Sequence, residues 1–523
     1  MAFSKGCLAI RIRDELGTVF GDEQFADLFA ARGRPALSPW RLALVSVLQF
    51  TEALSDRQAA EAVRARIDWK YMLGLDLTDE GFDASVLSEF RGRLVGGGAT
   101  ERVLGLLLKR LSAAGLVKAG GSARTDSTHV VAVVRNLNRI EVVGEVLRAA
   151  LEALAVCAPE WLRALAPSEW YERYERRVDA YRLPRGEAAR VAHAETIGRD
   201  GLMLLTAAAG SSAPEWLAGI PALRTLREVW AQHYDTDGDQ ARWRTQKQLP
   251  PARQLIRSPF DLQARFTVKR ATGWVGYKAH LTETCDPDSP HVVTHVATVP
   301  ATTTDVEVTQ SIHTGLAERG LLPGTHLVDT GYTSAGLLVS ARRDHGIELL
   351  GPVGRPTSPQ AKANAGFDTP NFRIDWGKHQ VICPRGAVST RWHETTRAGI
   401  PFIETAFSGR DCTPCPVRTQ CTRSPKAPRG MSFPAREHLE ALYRARRDQE
   451  TSEWQKRYNL RAGVESAMAQ ATGRCRLRRS RYRGLAKTHL QTVLTAAAIN
   501  LIRVDAWLAG TPLGQTRTSH FTA

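Results

Sequence analysis

Long apolar runs are missing from these 523 residues. Stretches such as Leu104–Leu108 and Val493–Ile502 fall far short of the roughly 20 residues that cross a bilayer, so no transmembrane helix and no membrane partner are expected. Met1–Gly21 mixes Lys5, Arg11, Arg13, Asp14 and Glu15 with short apolar pieces. No run of signal-peptide length occurs there, and nothing points to export. Cysteine is scarce: Cys7, Cys157, Cys285, Cys383, Cys412, Cys415, Cys421 and Cys475, half of them within 39 residues. That spacing argues for metal rather than a disulfide framework, and for a reducing cytoplasmic compartment. A phosphate-cradling GxxxxGK[ST] loop is absent, so ATP dependence is not expected. Acidic residues are also short, 54 against 70 Lys and Arg, leaving a net charge of +16. A polyanion or anionic surface is the first partner to consider, although a basic surface also serves solubility. What is present, 43% hydrophobic and 24% charged residues, is globular composition with length for about 3 to 4 domains.

From Leu37 to Lys118 the pattern is helical. Ser55 and Gln58 form a capping box opening Gln58–Arg66, and Asp83 or Ser85 can cap a second helix through Leu94 that carries Arg91 and Arg93. With Asp68–Asp76 between them, the two could form a helix-turn-helix-like unit or a plain helical bundle. Gly96, Gly97 and Gly98 mark a break before a helix over Thr100–Ala114. Ser122–Arg135 reads as a strand, and Glu141 to about Arg253 as helix, with the word Ala-Pro-Glu-Trp-Leu at 158–162 and again at 213–217. Two copies are too few for a repeat architecture. Strands follow at Ala264–Val268, Gly273–Glu283 and His291–Val299, then a helix Asp305–Glu318 and a strand Thr325–Asp329. This order is α/β. Residues 351–409 are rich in Pro, Gly and Thr, with short strands such as Phe372–Trp376, and Arg436–Ala509 is almost all helix.

Asp126 lies within an apolar strand, Asp329 ends another, and Glu465 lies on a helix. A carboxylate in a core strand is costly unless paired or metal-bound; taken singly, each could also be a turn Asp or a surface Glu. Tyr458, Arg461 and Glu465, at i, i+3 and i+7, fall at about 0°, 300° and 340° on a helix, one face. Asp305, after Thr302-Thr-Thr304, reads as a helix N-cap and not as a further catalytic carboxylate.

These residues resemble the DDE transposases of bacterial insertion sequences, with the Tyr, Arg, Glu signature of the IS4-like group. The resemblance is closest to IS1182-type transposases. It extends through Leu37–Leu94, Asp126-Ser-Thr-His129, Val134-Arg-Asn-Leu-Asn-Arg139, Trp274-Val-Gly-Tyr-Lys-Ala-His280, Thr325-His-Leu-Val-Asp-Thr-Gly-Tyr332 and Arg481-Tyr-Arg-Gly-Leu-Ala-Lys487. It implies an α/β fold with an RNase H-like core, a mixed sheet with flanking helices. The implied parts are a helical DNA-binding-like region at 1–118, core segments at 119–140 and 260–350, a helical insertion at 141–259, a Cys-rich insertion at 351–435, and a C-terminal helical part at 436–523.

Asp126, Asp329 and Glu465 would be catalytic and hold two Mg²⁺ (or Mn²⁺) ions, with Asp126 bridging them. Water would free a 3′-OH at the element end, and that hydroxyl would attack target DNA, with no covalent protein intermediate. Tyr458 and Arg461 would position double-stranded DNA, with Lys278, His129 and His280 as further candidates to face phosphate; each His reads better as a hydrogen-bonded core or edge residue of its strand. The implied protein is cytoplasmic and nucleoid-associated, and a dimer or larger when joining two ends. The signature's basic residue seven positions after the Glu is Thr472 here, with Arg474 nearest. A DNA-binding regulator or inactive relic, or a site-specific nuclease on the same core, are the competing functions.

Cys412-Thr-Pro-Cys415, Cys421 and the earlier Cys383-Pro-Arg-Gly386 could make a tetrahedral Zn²⁺ site stapling a loop-rich insert, or remain free thiols. Around Glu465, residues 455–487 hold ten basic residues (Lys456, Arg457, Arg461, Arg474, Arg476, Arg478, Arg479, Arg481, Arg483, Lys487) against one acid, a net +9. Such a strip suits a phosphate backbone beside the cut.

Overall fold

The computed structural model describes residues 6–30, 37–178, 182–269, 271–397 and 399–513, so Met1–Lys5 of the opening stretch and the last ten residues of 436–523 lie outside the described residues. A mixed sheet stands at the centre. Its strands are β1 (Ser122–Val131), β2 (Arg265–Lys269), β3 (Thr272–Thr284), β4 (Val293–Pro300), β5 (Thr325–Leu327) and β6 (Glu348–Leu350). The long β3 runs antiparallel to both β1 and β4, while its first residues pair with β2. On the other side, β1 pairs parallel with β5 and β5 parallel with β6. Gly276 marks where β3 turns from β1 to β2: its φ is +154°, and a Cβ there would lie 2.2 Å from the Val130 carbonyl oxygen. The sequence places β2 to β5 within two residues at each end, but β1 stops at Val131, short of the expected Arg135, and β6 is not anticipated; beyond Leu327, Asp329 caps a single 3₁₀ turn.

Six N-terminal helices precede β1: α1 (Leu8–Leu16), α2 (Pro39–Thr51), α3 (Asp56–Ala65), α4 (Ile67–Leu73), α5 (Ser85–Gly96) and α6 (Arg102–Ala113). The capping box forms as expected, Gln58 N–H donating to Ser55 Oγ and Ser55 N–H to Gln58 Oε1. Asp83 accepts from Ser85 N–H at the start of α5. The expected connection at Asp68–Asp76 is mostly helix instead, because Trp69, Met72 and Leu73 are buried from α4. Arg91 is buried and ion-paired with Asp56 at 2.5 Å, tying α5 to α3.

Between β1 and β2, α7 (Arg139–Cys157), α8 (Glu187–Ala209) and α9 (Pro221–His233) surround an apolar core of their own. A hairpin, Tyr234–Asp237 with Gln240–Trp243, interrupts the expected all-helical stretch. Its two-residue turn is Gly238-Asp239, with Gly238 at φ +55°, and that glycine is the signal the helical reading passed over. Then α10 (Asp305–Glu318) follows β4, and α11 (Ala335–His345) crosses between β5 and β6. The N-cap of α10 is Thr304, in a capping box with Glu307. Asp305 is therefore the first helical residue, not the cap.

Residues 373–434 carry five strands: a pair, Arg373–Asp375 with Gln380–Ile382, and a three-stranded sheet of Ser389–Arg397, Ile400–Phe407 and Gly430–Pro434. They enclose a third small core around Phe372, Phe407 and Phe433. The C-terminal part is less continuous than expected: α12 (Arg436–Asp448), α13 (Ser452–Asn459), a 3₁₀ turn Leu460–Gly463, α14 (Val464–Ala469), a π turn Gln470–Arg474, an irregular loop, then α15 (Leu485–Leu508).

The helix α15 is buried on nearly every side and packs against α1, α2, α6 and β4. As a result the N-terminal helices, the central sheet and α15 share one apolar core. Among the described residues no helix is long and apolar enough to cross a membrane. Asn500 replaces a missing strand partner at the outer edge of β4. Its Oδ1 accepts from Val293 N–H at 2.6 Å and its Nδ2 donates to Val293 O at 2.9 Å, all out of contact with water. Each buried group left unpaired costs roughly 1–3 kcal/mol, so Asn500→Leu should lower the unfolding free energy by roughly 2–4 kcal/mol in urea denaturation; a change below about 0.5 kcal/mol would show that the β4 edge is held without this amide.

A candidate carboxylate site

Asp126 sits near the middle of β1, opposite Leu281 of β3. Asp329 leaves the end of β5 and caps the turn Thr330–Tyr332, its Oδ1 accepting from Gly331 N–H at 2.8 Å. Arg461, on the 3₁₀ turn between α13 and α14, brings one guanidinium nitrogen to 2.8 Å from Asp126 Oδ2 and 3.7 Å from Asp329 Oδ2. The two carboxylates thus share a cation, with Arg461 and Asp126 only 16% and 14% exposed. Glu465 is exposed in the first turn of α14. Burial pushes Asp126 above the ordinary carboxylate range; Arg461 and the Ser127 N–H oppose that, while the charges of Asp329 and Glu465 add to it. Among the described residues, no three His, Cys, Asp or Glu side chains converge closely enough to hold an ion as they stand. Carboxylate oxygens are the donors that a hard divalent cation takes, and here the charges of Asp126 and Asp329 are met by Arg461.

The one-face spacing of Tyr458, Arg461 and Glu465 assumes a regular helix, and the turn Leu460–Gly463 departs from it. The Leu460 carbonyl accepts from Arg124 at 2.6 Å, and Val464 N–H turns instead to Arg461 and Ala462 carbonyls. Tyr458 stacks on Trp454, with ring centroids 4.6 Å apart, against Cys285, Leu327 and Leu350. Thr472 lies in the π turn and donates to Met468 O.

Strand β1 is also fastened from its far face. The Tyr332 hydroxyl, three residues beyond Asp329, lies 2.7 Å from Nδ1 of His280, the residue opposite Ser127 in the β1–β3 register. His280 is fully buried and pushed down to about 4 by desolvation, hence neutral. Thr125 reaches Thr282 at 2.7 Å and His326 at 2.6 Å, and His326 reaches His313. His129 packs against Trp274. Lys278 donates to Thr303 O and to Asp305 at 3.1 Å, and Asp305 Oδ2 in turn stands beside Gly331. Sequence reasoning missed these contacts, together with Arg124 and Glu283. Polar and charged residues inside buried strands are the signal that marks them.

The basic strip divides by contact. Val131 N–H donates to Arg478 O, and Ser480 N–H to Val131 O, stitching the loop to the end of β1. That is about 17 Å along the strand from Asp126, at 3.3 Å per residue. Arg476, Arg478, Arg479 and Lys487 are exposed there, and Arg483 lies over Phe260. By contrast, Arg474 Nε donates to Thr51 O, and Arg481 donates to Leu54 O and stacks on Phe50, so both fasten the loop to the end of α2. Arg457 pairs with Glu348.

The four clustered cysteines line one cavity of about 430 Å³, with Arg385, Arg410, Arg418 and Arg429 around it. Cys383 and Gly386 close a tight turn, the glycine at φ +90° donating to the Cys383 carbonyl. Burial and the three neighbouring thiols raise Cys421.

Arg481→Ala should lower stability by roughly 1–3 kcal/mol through the lost carbonyl bond and ring contact. Arg478→Ala should stay within about 0.5 kcal/mol, both read by chemical denaturation. Equal effects would show that Arg481 does not dock the loop.

Two family models match the chain, a Transposase DDE domain over residues 382–504 and a Transposase domain (DUF772) over residues 8–93. Glu465 and the basic strip fall inside the first, and the helices α1 to α4 inside the second, while Asp126 and Asp329 lie outside both. No curated protein and no solved structure matches. Over these two stretches, one toward each end and together less than half of its length, the chain is similar to transposases with a DDE domain.

Proposed function

We propose that the chain binds the terminal inverted repeats of an insertion sequence and catalyses Mg²⁺-dependent strand cleavage and strand transfer. The observation that carries this reading is the sharing of Arg461 by Asp126 and Asp329, with Glu465 on the next turn. The strand order β4, β3, β1, β5, β6, antiparallel then parallel, supports an RNase H-like core in which these acids occupy the catalytic positions.

Asp126, Asp329 and Glu465 would hold the metal, which when bound neutralises charge on the phosphoryl and leaving oxygens and lowers the pKa of an attacking water or hydroxyl. Arg461 acts at two places. Against the carboxylates it offsets their charge; turned outward it presents a fork of donors matched to a phosphate. Tyr458, held by Trp454, would flank the same phosphate. The exposed Arg476, Arg478, Arg479 and Lys487 extend that surface along the duplex, and joining two element ends calls for at least two copies of the chain.

Asp126→Asn, Asp329→Asn and Glu465→Gln should each abolish Mg²⁺-dependent nicking of an element-end duplex while leaving its binding in a gel-shift assay intact. Nicking by any one of them removes that residue from the site; binding without nicking by the unaltered chain favours a regulator. For the cysteine cavity, Cys383, Cys412, Cys415 and Cys421 line one space without converging as they stand, and the purified chain should carry about one Zn²⁺ on which these four thiols draw together. Elemental analysis checks this, and a metal-free chain whose four thiols all react with a thiol reagent in the native state would sink it.

A further inference from the structure

Arg124 stands two residues before Asp126 on β1 and is only 5% exposed, yet each of its guanidinium nitrogens is directed at a partner. Its Nε donates to Glu283 Oε1 at 2.6 Å, its Nη1 to Leu460 O at 2.6 Å, and its Nη2 lies 3.2 Å from His291 Nδ1. Glu283, directly opposite Arg124 in the β1–β3 register, is fully buried, and its other oxygen takes Arg503 of α15. Arg503 in turn donates to His291 O at 2.8 Å and to Gln470 Oε1 at 2.9 Å. One buried carboxylate and two guanidiniums therefore grip the chain at Leu460 and at Gln470, on either side of Glu465. Gly463 completes the fit, since a Cβ there would lie 2.0 Å from Arg124 Nη1.

A purely structural ion pair would need only mutual satisfaction within the sheet. Here, one donor of each arginine leaves the pair and reaches the segment that bears Arg461 and Glu465. We propose that Arg124 and Arg503, anchored by Glu283, are positioning residues that set the distance of Glu465 and Arg461 from Asp126. This rests on the carboxylate reading of the site and adds to it a device that fixes its third member.

Gly463→Ala tests the device, with Gly473→Ala as control, because a Cβ at 473 meets nothing within 4 Å. Misplacing a reacting group by about 1 Å can cost about 100-fold, so Gly463→Ala should cut kcat for nicking by about that factor, with KM for the duplex within about twofold. It should also weaken binding of Mn²⁺, followed by electron paramagnetic resonance without DNA, about tenfold. Gly473→Ala should match the unaltered chain in both. Arg124→Lys keeps a charge facing Glu283 but loses the fork that reaches Leu460, and carries the same expectation should Gly463→Ala not fold. Losses that only track the folded fraction, or a Gly463→Ala chain that behaves as Gly473→Ala does, overturn the proposal. If Asp126→Asn still nicks, the carboxylate reading itself has failed; if it is inactive and Gly463→Ala is normal, only the positioning role has.

Discussion

A carboxylate with no exposure to water is stable only in company, and Glu283 determines much of what surrounds it. Its two oxygens draw in guanidiniums from β1 and from α15, positions 159 and 220 residues away in the chain. Burying such charges costs several kcal/mol each unless geometry and hydrogen bonding are nearly complete. That demand couples the β1–β3 register, the seat of the last helix and the path of the segment between α13 and α15. None of the three can shift alone without stranding a charge.

One strand then serves several ends at different residues. Arg124 of β1 grips the carrier of Glu465, Asp126 meets Arg461, and Val131 is stitched to the arginine loop. Because strand residues are spaced regularly, the separation between carboxylates and exposed arginines is set by backbone geometry and not by flexible side chains. The far-face bonds of Thr125 to Thr282 and His326 hold the strand from behind, beside the residue that carries the acid.

How much of this was legible in the sequence depends on how local the signal is. Ser55 and Gln58 announce a helix start through contacts three residues apart, and the strands from Ser122 to Leu327 show in their β-branched runs, whereas Glu348–Leu350 has no β-branched residue and gives no such signal. The three acids stand out because charge is rare in such runs. The three-stranded sheet at 389–434 was hidden because strands such as Ser389–Arg397 are mostly polar and half exposed, without a buried stripe. Similarly, composition counted Arg474 and Arg481 with the other basic residues, although each is directed to a backbone carbonyl of the N-terminal helices. A net charge cannot tell a docking arginine from a free one. Nor could Arg124 and Glu283 be paired before the register was known.

The shared core of the N-terminal helices and α15 has a consequence for synthesis. During translation the first hundred residues emerge long before Leu485–Leu508 exists, and α1, α2 and α6 have no partner for the faces they later press against it. Chains fold from the N-terminus as they appear only when a unit can close by itself. The faces that α1, α2 and α6 press against Leu485–Leu508 are therefore covered only once that helix has been made, and a chain lacking it leaves them open.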